Sequence, residues 1–374
     1  MRAEGLEPTP LSGPEPKSGA SASFATPAAS TSSYRPASIS AHRCRPTTRY
    51  PLPPVFDHLP TILSAMLGST LLLVTGAIAR RLRILRPAFD RALLKLIVRG
   101  LMPALVFSVV AGNEKLRDPL RVMMPPLVGF GSILLGFAVA AAAARALRRW
   151  LRMTPAAERT FIFTTGVYNY GYIPIPIVML LFDDETLSVL FLHNIGIDFA
   201  FWTVGVLVMT GHFSLSVLRK AINPPSVAIV IGLICTWSGA SRHIPQDVIW
   251  SLNLVGKCSL PLGLLLIGAT VYDHVHEAGL RHGQRIIWAA NLLRLGAIPV
   301  LFLLAARFLP VSVELKRVIV VQAAMPAGVF AIIMARLYNG DTPTAMRVIL
   351  STNAICLVTA PLWLPMGMWL VGLG

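Results

Sequence analysis

Ten predominantly apolar stretches run along the chain, separated by short polar segments, near 59–79, 92–111, 122–144, 160–182, 186–210, 223–240, 248–271, 286–306, 318–338 and 345–370. About 20 residues rising 1.5 Å each cross a hydrocarbon core of roughly 30 Å, so each stretch predicts a membrane-spanning helix. The predicted fold is an all-α polytopic membrane protein with about ten transmembrane helices. Polar residues inside these stretches are rare, and they gather in a few places. The fourth stretch carries the most conspicuous one, "NYGYIPIPI" (169–177).

Composition agrees with the pattern: of 374 residues 55% are hydrophobic and only 13% charged, too oily for a soluble domain. The formal net charge of +16 would suggest nucleic acid in a soluble chain. Here most basic residues fall in short loops between the apolar stretches, where a membrane surface accounts for them and no nucleic-acid partner is needed. The segments 79–91, 145–159 and 218–220 are basic, whereas "FDDET" (182–186) is acidic. An excess of Lys and Arg in cytoplasmic loops then places both termini on the extracytoplasmic side of a plasma (inner) membrane. The loops carrying Lys115, Arg117 and Arg121, and Lys316 and Arg317, run against that trend without reversing it. Cys44, Cys235, Cys258 and Cys356 have no metal-ligand spacing, and the last three lie in apolar stretches, where they act as small hydrophobes. No cofactor is implied.

Residues 1–57 are rich in Ser, Ala, Pro and Thr without hydrophobic period, so a disordered tail is expected. An organellar transit peptide is one alternative for 32–50; the favoured expectation is that the natural start lies near Val55.

The remainder reads as two copies of one five-helix unit, 58–221 and 222–374. "RGLMPALVFSVVAG" (99–112) aligns with "KCSLPLGLLLIGAT" (257–270), and "DDETLSVLFLHNIGI" (183–197) with "GDTPTAMRVILSTNAI" (340–355). In the second pair an acidic and threonine-bearing start leads into a span with a lone asparagine, Asn194 or Asn353. Because five is odd, the second copy enters the membrane from the opposite side. Such inverted repeats are a mark of secondary transporters, which work around a site near the midplane.

The chemistry should sit where the fourth and ninth spans break. Proline removes a backbone donor and clashes with the carbonyl four residues back. Asn169, Tyr170, Gly171, Pro174 and Pro176 in one span, and Gln322 and Pro326 in the other, therefore mark two interruptions at matching places. Irregular backbone at that depth is tolerated only where protein, water or ligand meets it. Half-helix N-termini would offer N–H groups and partial positive charge to an anion, with the Asn169 amide as a further donor. A small organic anion such as a carboxylate is the expected substrate. A simple proline kink patched by neighbouring helices is the plainer alternative.

Asp198 is the acid placed well inside a span, with Asn194 one turn earlier on the same face, and intramembrane acids are expensive. It is a candidate for proton or cation coupling, or the partner of a buried base. Arg294, midway along the eighth span, is the candidate partner. Arg99 and Lys257 hold equivalent positions four before Pro103 and Pro261; they could draw anions inward or snorkel to the interface. Asn291 reads as a helix-packing residue. Walker A and HExxH sequences are absent, and nothing argues for an enzyme.

These residues together resemble the auxin efflux carrier family, over about 58–370. The family pattern N-x-G-[FY]-x-G-x-P fits Asn169, Gly171, Tyr172 and Pro176, with Pro174 standing where a glycine is usual. "NPPSVAIVIGL" (223–233), "LPLGLLLIGATV" (260–271) and "AAMPAGVFAIIMARLYNGD" (323–341) are similar to the family's sixth, seventh and ninth spans. The resemblance implies a fold like that of bile acid sodium symporters, a 5+5 inverted repeat with broken helices 4 and 9 crossing at the site. It further implies a scaffold of spans 1, 2, 6 and 7 and a bundle of spans 3–5 and 8–10 that carries a carboxylate in an elevator-like motion. On that analogy Asn169 and the backbone around Pro174, Pro176 and Pro326 bind the substrate. A sodium-coupled symporter and a non-transporting membrane sensor remain alternatives, as does a homodimer to a monomer.

Overall fold

In the computed structural model residues 59–212, 222–275, 279 and 283–373 are described. The expectations for 1–57, including a start near Val55, and for the basic segment 218–220 lie outside the described residues. The regular elements among the described residues are helical, and one isolated β-bridge joins Tyr168 to Ala327.

Twelve helices carry the fold: α1 (Leu59–Arg81), α2 (Pro87–Val110), α3 (Pro119–Ala146), α4 (Pro155–Gly166), α5 (Pro174–Leu181), α6 (Asp184–Thr210), α7 (Pro224–Ser238), α8 (Gln246–His274), α9 (Gln284–Phe308), α10 (Val313–Ala323), α11 (Ala331–Leu337) and α12 (Thr342–Leu370). Seven of them, α1, α2, α3, α6, α8, α9 and α12, are long and apolar enough to cross a membrane, and α7 is a shorter apolar helix. The fourth and ninth apolar stretches are each a pair of short helices, α4 with α5 and α10 with α11. Three long helices contain a π-helical turn, Ile97–Leu101, Phe201–Gly205 and Leu293–Ala297.

Helix starts follow directly from the sequence. A side-chain oxygen just ahead of the first turn satisfies one of its orphan N–H groups, and proline at the first position loses no bond it could have made. Asp118, Thr154, Asn223 and Ser312 cap α3, α4, α7 and α10, the first three directly before a proline. Asp183 accepts from the Thr186 amide at 2.8 Å to start α6, and Asp341 from the Thr344 amide at 2.7 Å to start α12. The two acidic starts aligned in the sequence therefore do the same work.

The helices sort into two packed groups. In one, α1 lies along α8, and α2 against α7 and α8. In the other, α3 packs on α4 and α6, α10 on α6, α9 and α12, and α12 on α4 and α9. The α3–α6 approach is so close that a Cβ at Gly196 would collide with the Pro126 carbonyl. The groups meet where α1 touches α5 and α12, and where α6 touches α2 and α7. An ion-pair cluster closes one end: Lys115 bridges Glu185 at the start of α6 and Glu314 at the start of α10, while Arg317 holds Asp183 at 3.2 Å. The Glu185 hydrogen bond is the main cause raising the Lys115 pKa. Burial pushes the Asp183 carboxyl up, but the Thr186 amide and hydroxyl and the Arg317 guanidinium outweigh it and hold it below the usual carboxylate range.

Candidate functional site

The two interruptions cross each other. After α4 ends at Gly166 the chain extends, and the Asn169 N–H donates to the Pro326 carbonyl at 2.8 Å while the Gly328 N–H donates to the Val167 carbonyl at 3.1 Å. Each break thus satisfies backbone groups of the other, which is what unpaired amides deep in an apolar protein require. Successive side chains of an extended segment point to opposite faces. Tyr168 points into the helix group that holds it: fully buried, it shares a 2.7 Å hydroxyl contact with Ser132 of α3 and stands edge-on to Phe302 of α9.

Asn169 lies on the other face, 7% exposed. Its Oδ1 accepts from the Gly171 amide at 3.3 Å, which leaves Nδ2, a donor, as the open end of the side chain. Tyr170 is bracketed. Its carbonyl accepts from Asn194 Nδ2 at 2.9 Å and from Gln322 Nε2 at 3.4 Å, and its hydroxyl donates to Asp198 Oδ1 at 2.7 Å. The Tyr172 ring presses on α8 at Gly263, where a Cβ would overlap it.

The helix N-termini do not behave as the sequence suggested. Pro174 and Pro176 occupy the first and third positions of α5, and the Ile175 N–H between them is already donated to Gly171 at 3.0 Å. The first turn of α5 offers an anion no free N–H. At the other break the Ala331 and Ile332 amides turn back to the Gly328 and Val329 carbonyls. The backbone N–H groups of these two first turns are therefore largely spent.

Arg294 supplies positive charge at the crossing. Fully buried on the π turn of α9, it donates from Nε to Met325 O at 3.0 Å and from Nη2 to the carbonyls of Ala323 and Gln322 at 3.3 and 3.4 Å. Its guanidinium carbon lies 5.0 Å from the centre of the Tyr168 ring and 5.6 Å from that of Phe302. Arg294 thus closes the C-terminal end of α10, where helix carbonyls are orphaned and the dipole is negative. Among the described residues no carboxylate pairs with it. The Asp198 partnership considered from the sequence is not formed: Asp198 receives Tyr170 and the Asn223 amide, the latter at 2.7 Å.

The remaining candidates divide between the breaks. Asn353 Nδ2 donates to Ala327 O at 3.1 Å, as Asn194 does to Tyr170, so the two lone asparagines of the aligned segments each hold the break of their own half. Pro326 contributes its carbonyl to the crossing. Asn291 joins α9 to Ser351 of α12 at 2.9 Å. Arg99 and Lys257 are exposed, and Arg99 lines a groove of about 470 Å³ between α2 and α7 together with Pro103, Asn223 and Pro224. Thr352, whose hydroxyl accepts from the Ala327 amide at 3.2 Å, and Cys356, donating to Ala324 O at 3.4 Å, were not singled out from the sequence. Their spacing of four residues, one helical turn beside Asn353, is the signal that was available.

A family model described as "Membrane transport protein" matches residues 61–364. The chain is 21% identical over 298 residues to an uncharacterized transporter of Methanocaldococcus jannaschii, covering 78% of this chain and 94% of that protein. It is 24% identical over 313 residues to an uncharacterized transporter of Methanothermobacter thermautotrophicus, covering 81% and 96%. These matches agree with the resemblance drawn from the fourth and ninth spans.

Proposed function

Since the chain belongs to the membrane transport protein family, we propose that it is a secondary transporter that moves a small organic anion, a carboxylate, across the plasma membrane. The observation that carries the reading is the open donor of Asn169 at a crossing backed by Arg294, a buried cation that no described carboxylate neutralises. Removing a charge from water is costly unless a partner meets it, so such a crossing favours an anionic ligand over a cation.

The ten-span reading counts α4–α5 and α10–α11 as one broken span each, with 58–221 and 222–374 as inverted halves. The paired acidic caps, Asp183 and Asp341, and the paired asparagines, Asn194 and Asn353, support it. The group containing α1, α2, α7 and α8 is the scaffold, and the other group is the bundle that carries the site past it in an elevator-like motion. Their limited meeting surface fits a sliding boundary. The start of α1 and the end of α12 face the extracytoplasmic side in this reading, because the basic segments 79–91 and 145–159 follow the opposite ends of α1 and α3 and mark the cytoplasmic side. Asp198, held only by neutral donors, is the group through which a proton would be coupled.

The test is flux into proteoliposomes from a panel of mono- and dicarboxylates, chosen first by ligand-induced thermal shift. Asn169→Ala is expected to slow carboxylate flux 10-fold or more, since one charge-assisted hydrogen bond is worth about 1.5–3 kcal/mol. Unchanged flux in that variant refutes the site. Asp198→Asn is expected to abolish the response to a pH gradient; a dependence on sodium instead would favour a sodium-coupled symporter.

A further inference from the structure

Asp198 is bonded to both helix groups. Its Oδ1 takes the Tyr170 hydroxyl at 2.7 Å, from the break that carries Asn169, and its Oδ2 takes Asn223 Nδ2 at 2.7 Å, from the start of α7. Asn223 is at the same time the N-cap of α7: its Oδ1 accepts from the Ser226 amide at 2.9 Å and from the Ser226 hydroxyl at 3.0 Å. That second engagement fixes which end of the Asn223 amide faces Asp198. Hydrogen bonds thus run from Gln322 through Asn194 to the Tyr170 carbonyl, and from the hydroxyl at the far end of the same Tyr170 ring through Asp198 to Asn223. They start at the crossing and end on the other helix group.

We propose that Asn223 is a positioning residue for transport: its hydrogen bond to Asp198 latches the bundle to the scaffold in this conformation, and each transport cycle breaks and remakes it. The inference rests on the elevator reading above. A bond between groups that move past one another cannot persist through the movement, so it stabilises one end state and not the other. A charge-assisted hydrogen bond is strong enough to set that balance. Asn223 and Asp198 are both only half-buried, and Asn223 borders the open groove beside Arg99, so the bond can part without opening a sealed core. Through Tyr170, the same carboxylate is tied to the segment that presents Asn169. Occupancy of the crossing therefore bears on the latch through a single hydroxyl.

The substitutions can separate this role from helix capping. Serine is as good an N-cap as asparagine but is too short to reach Asp198, so Asn223→Ser keeps α7 and removes the latch. Asn223→Asp keeps the cap and sets two carboxylates against each other. The exchange Asp198→Asn with Asn223→Asp restores one amide and one carboxylate in reversed positions. Bundle position is read as the distance between spin labels on exposed Cys258 of α8 and Leu180→Cys of α5, with Cys44 and Cys235 replaced and buried Cys356 retained.

The full-length protein in lipid nanodiscs is expected to show two distance populations. Both single substitutions should lower the population matching this structure about tenfold, and the exchange should restore it toward the original ratio. Two populations left unshifted by Asn223→Ser and Asn223→Asp would overturn the latch while leaving the elevator standing. One fixed distance in the parent and every variant would overturn both.

Discussion

The two breaks occupy matching places in the chain and differ in what they contain. The first, between α4 and α5, is polar and outward-looking: Asn169 with its open amide, Tyr170 reaching Asp198, Tyr172 against α8. The second, between α10 and α11, buries Ala324, Met325, Pro326, Ala327 and Gly328 ahead of half-buried Val329 and exposed Phe330, and its polar groups are backbone. Those groups are held by Arg294, Thr352, Asn353 and Cys356. One break presents chemistry, and the other supports it. Two irregular segments lie where mutual hydrogen bonding makes them tolerable, and their side chains differ in kind.

The largest effect expected from testing that division is at Arg294. Arg294→Leu leaves the carbonyls of Met325 and Ala323 buried without donors, each costing about 1–3 kcal/mol, while Gln322 keeps the Met325 amide as a donor. The expected outcome is loss of monodisperse protein in size-exclusion chromatography. Arg294→Lys keeps a charge but not the planar fork, and should give folded protein with a melting temperature several degrees lower. If Arg294→Leu is as stable as the parent, the second break is not supported as described.

Thr352→Val comes next. It preserves shape and removes the acceptor of the buried Ala327 amide, so destabilisation of about 1–3 kcal/mol is expected in chemical denaturation. The contrast with Asn169→Ala is the sharper measurement. Asn169→Ala should lose flux with little loss of stability, and Thr352→Val should lose stability first. Equal profiles in the two variants would erase the distinction between a presenting and a supporting break.

Much of this was legible in the sequence, and the illegible part has a physical reason. Spans were visible because lipid demands about 20 apolar residues, and the breaks because proline cannot stay inside a helix unnoticed. The pairing of Asn194 with Asn353 followed from their place after the acidic starts. Arg294 was visible as a costly residue, yet its acceptors are backbone carbonyls, which leave no mark in a sequence. The free N–H groups expected at α5 depended on where the helix begins. With Pro174 and Pro176 at its first and third positions, a shift of one residue decides whether donors remain. Asp198 and Asn223 are 25 residues apart on different helix groups, and no periodicity connects them.

The smallest expected effect separates the breaks by space alone. A Cβ at Gly171 meets nothing within 4 Å, whereas one at Gly328 would lie 3.0 Å from the Tyr168 carbonyl, on the crossing itself. Gly171→Ala should therefore change stability by less than about 0.5 kcal/mol, and Gly328→Ala should cost about 1–3 kcal/mol because the crossing must widen to admit a methyl group. The methyl at Gly171 adds bulk two residues from the open Asn169 amide, so it should raise KM for the larger carboxylates more than for the smaller ones. Thermal melts and flux across a size series of carboxylates check both halves. A stability loss at Gly171 equal to that at Gly328 would mean that the space beside Asn169 is filled by the protein itself, and the presenting break would have no room for the anion.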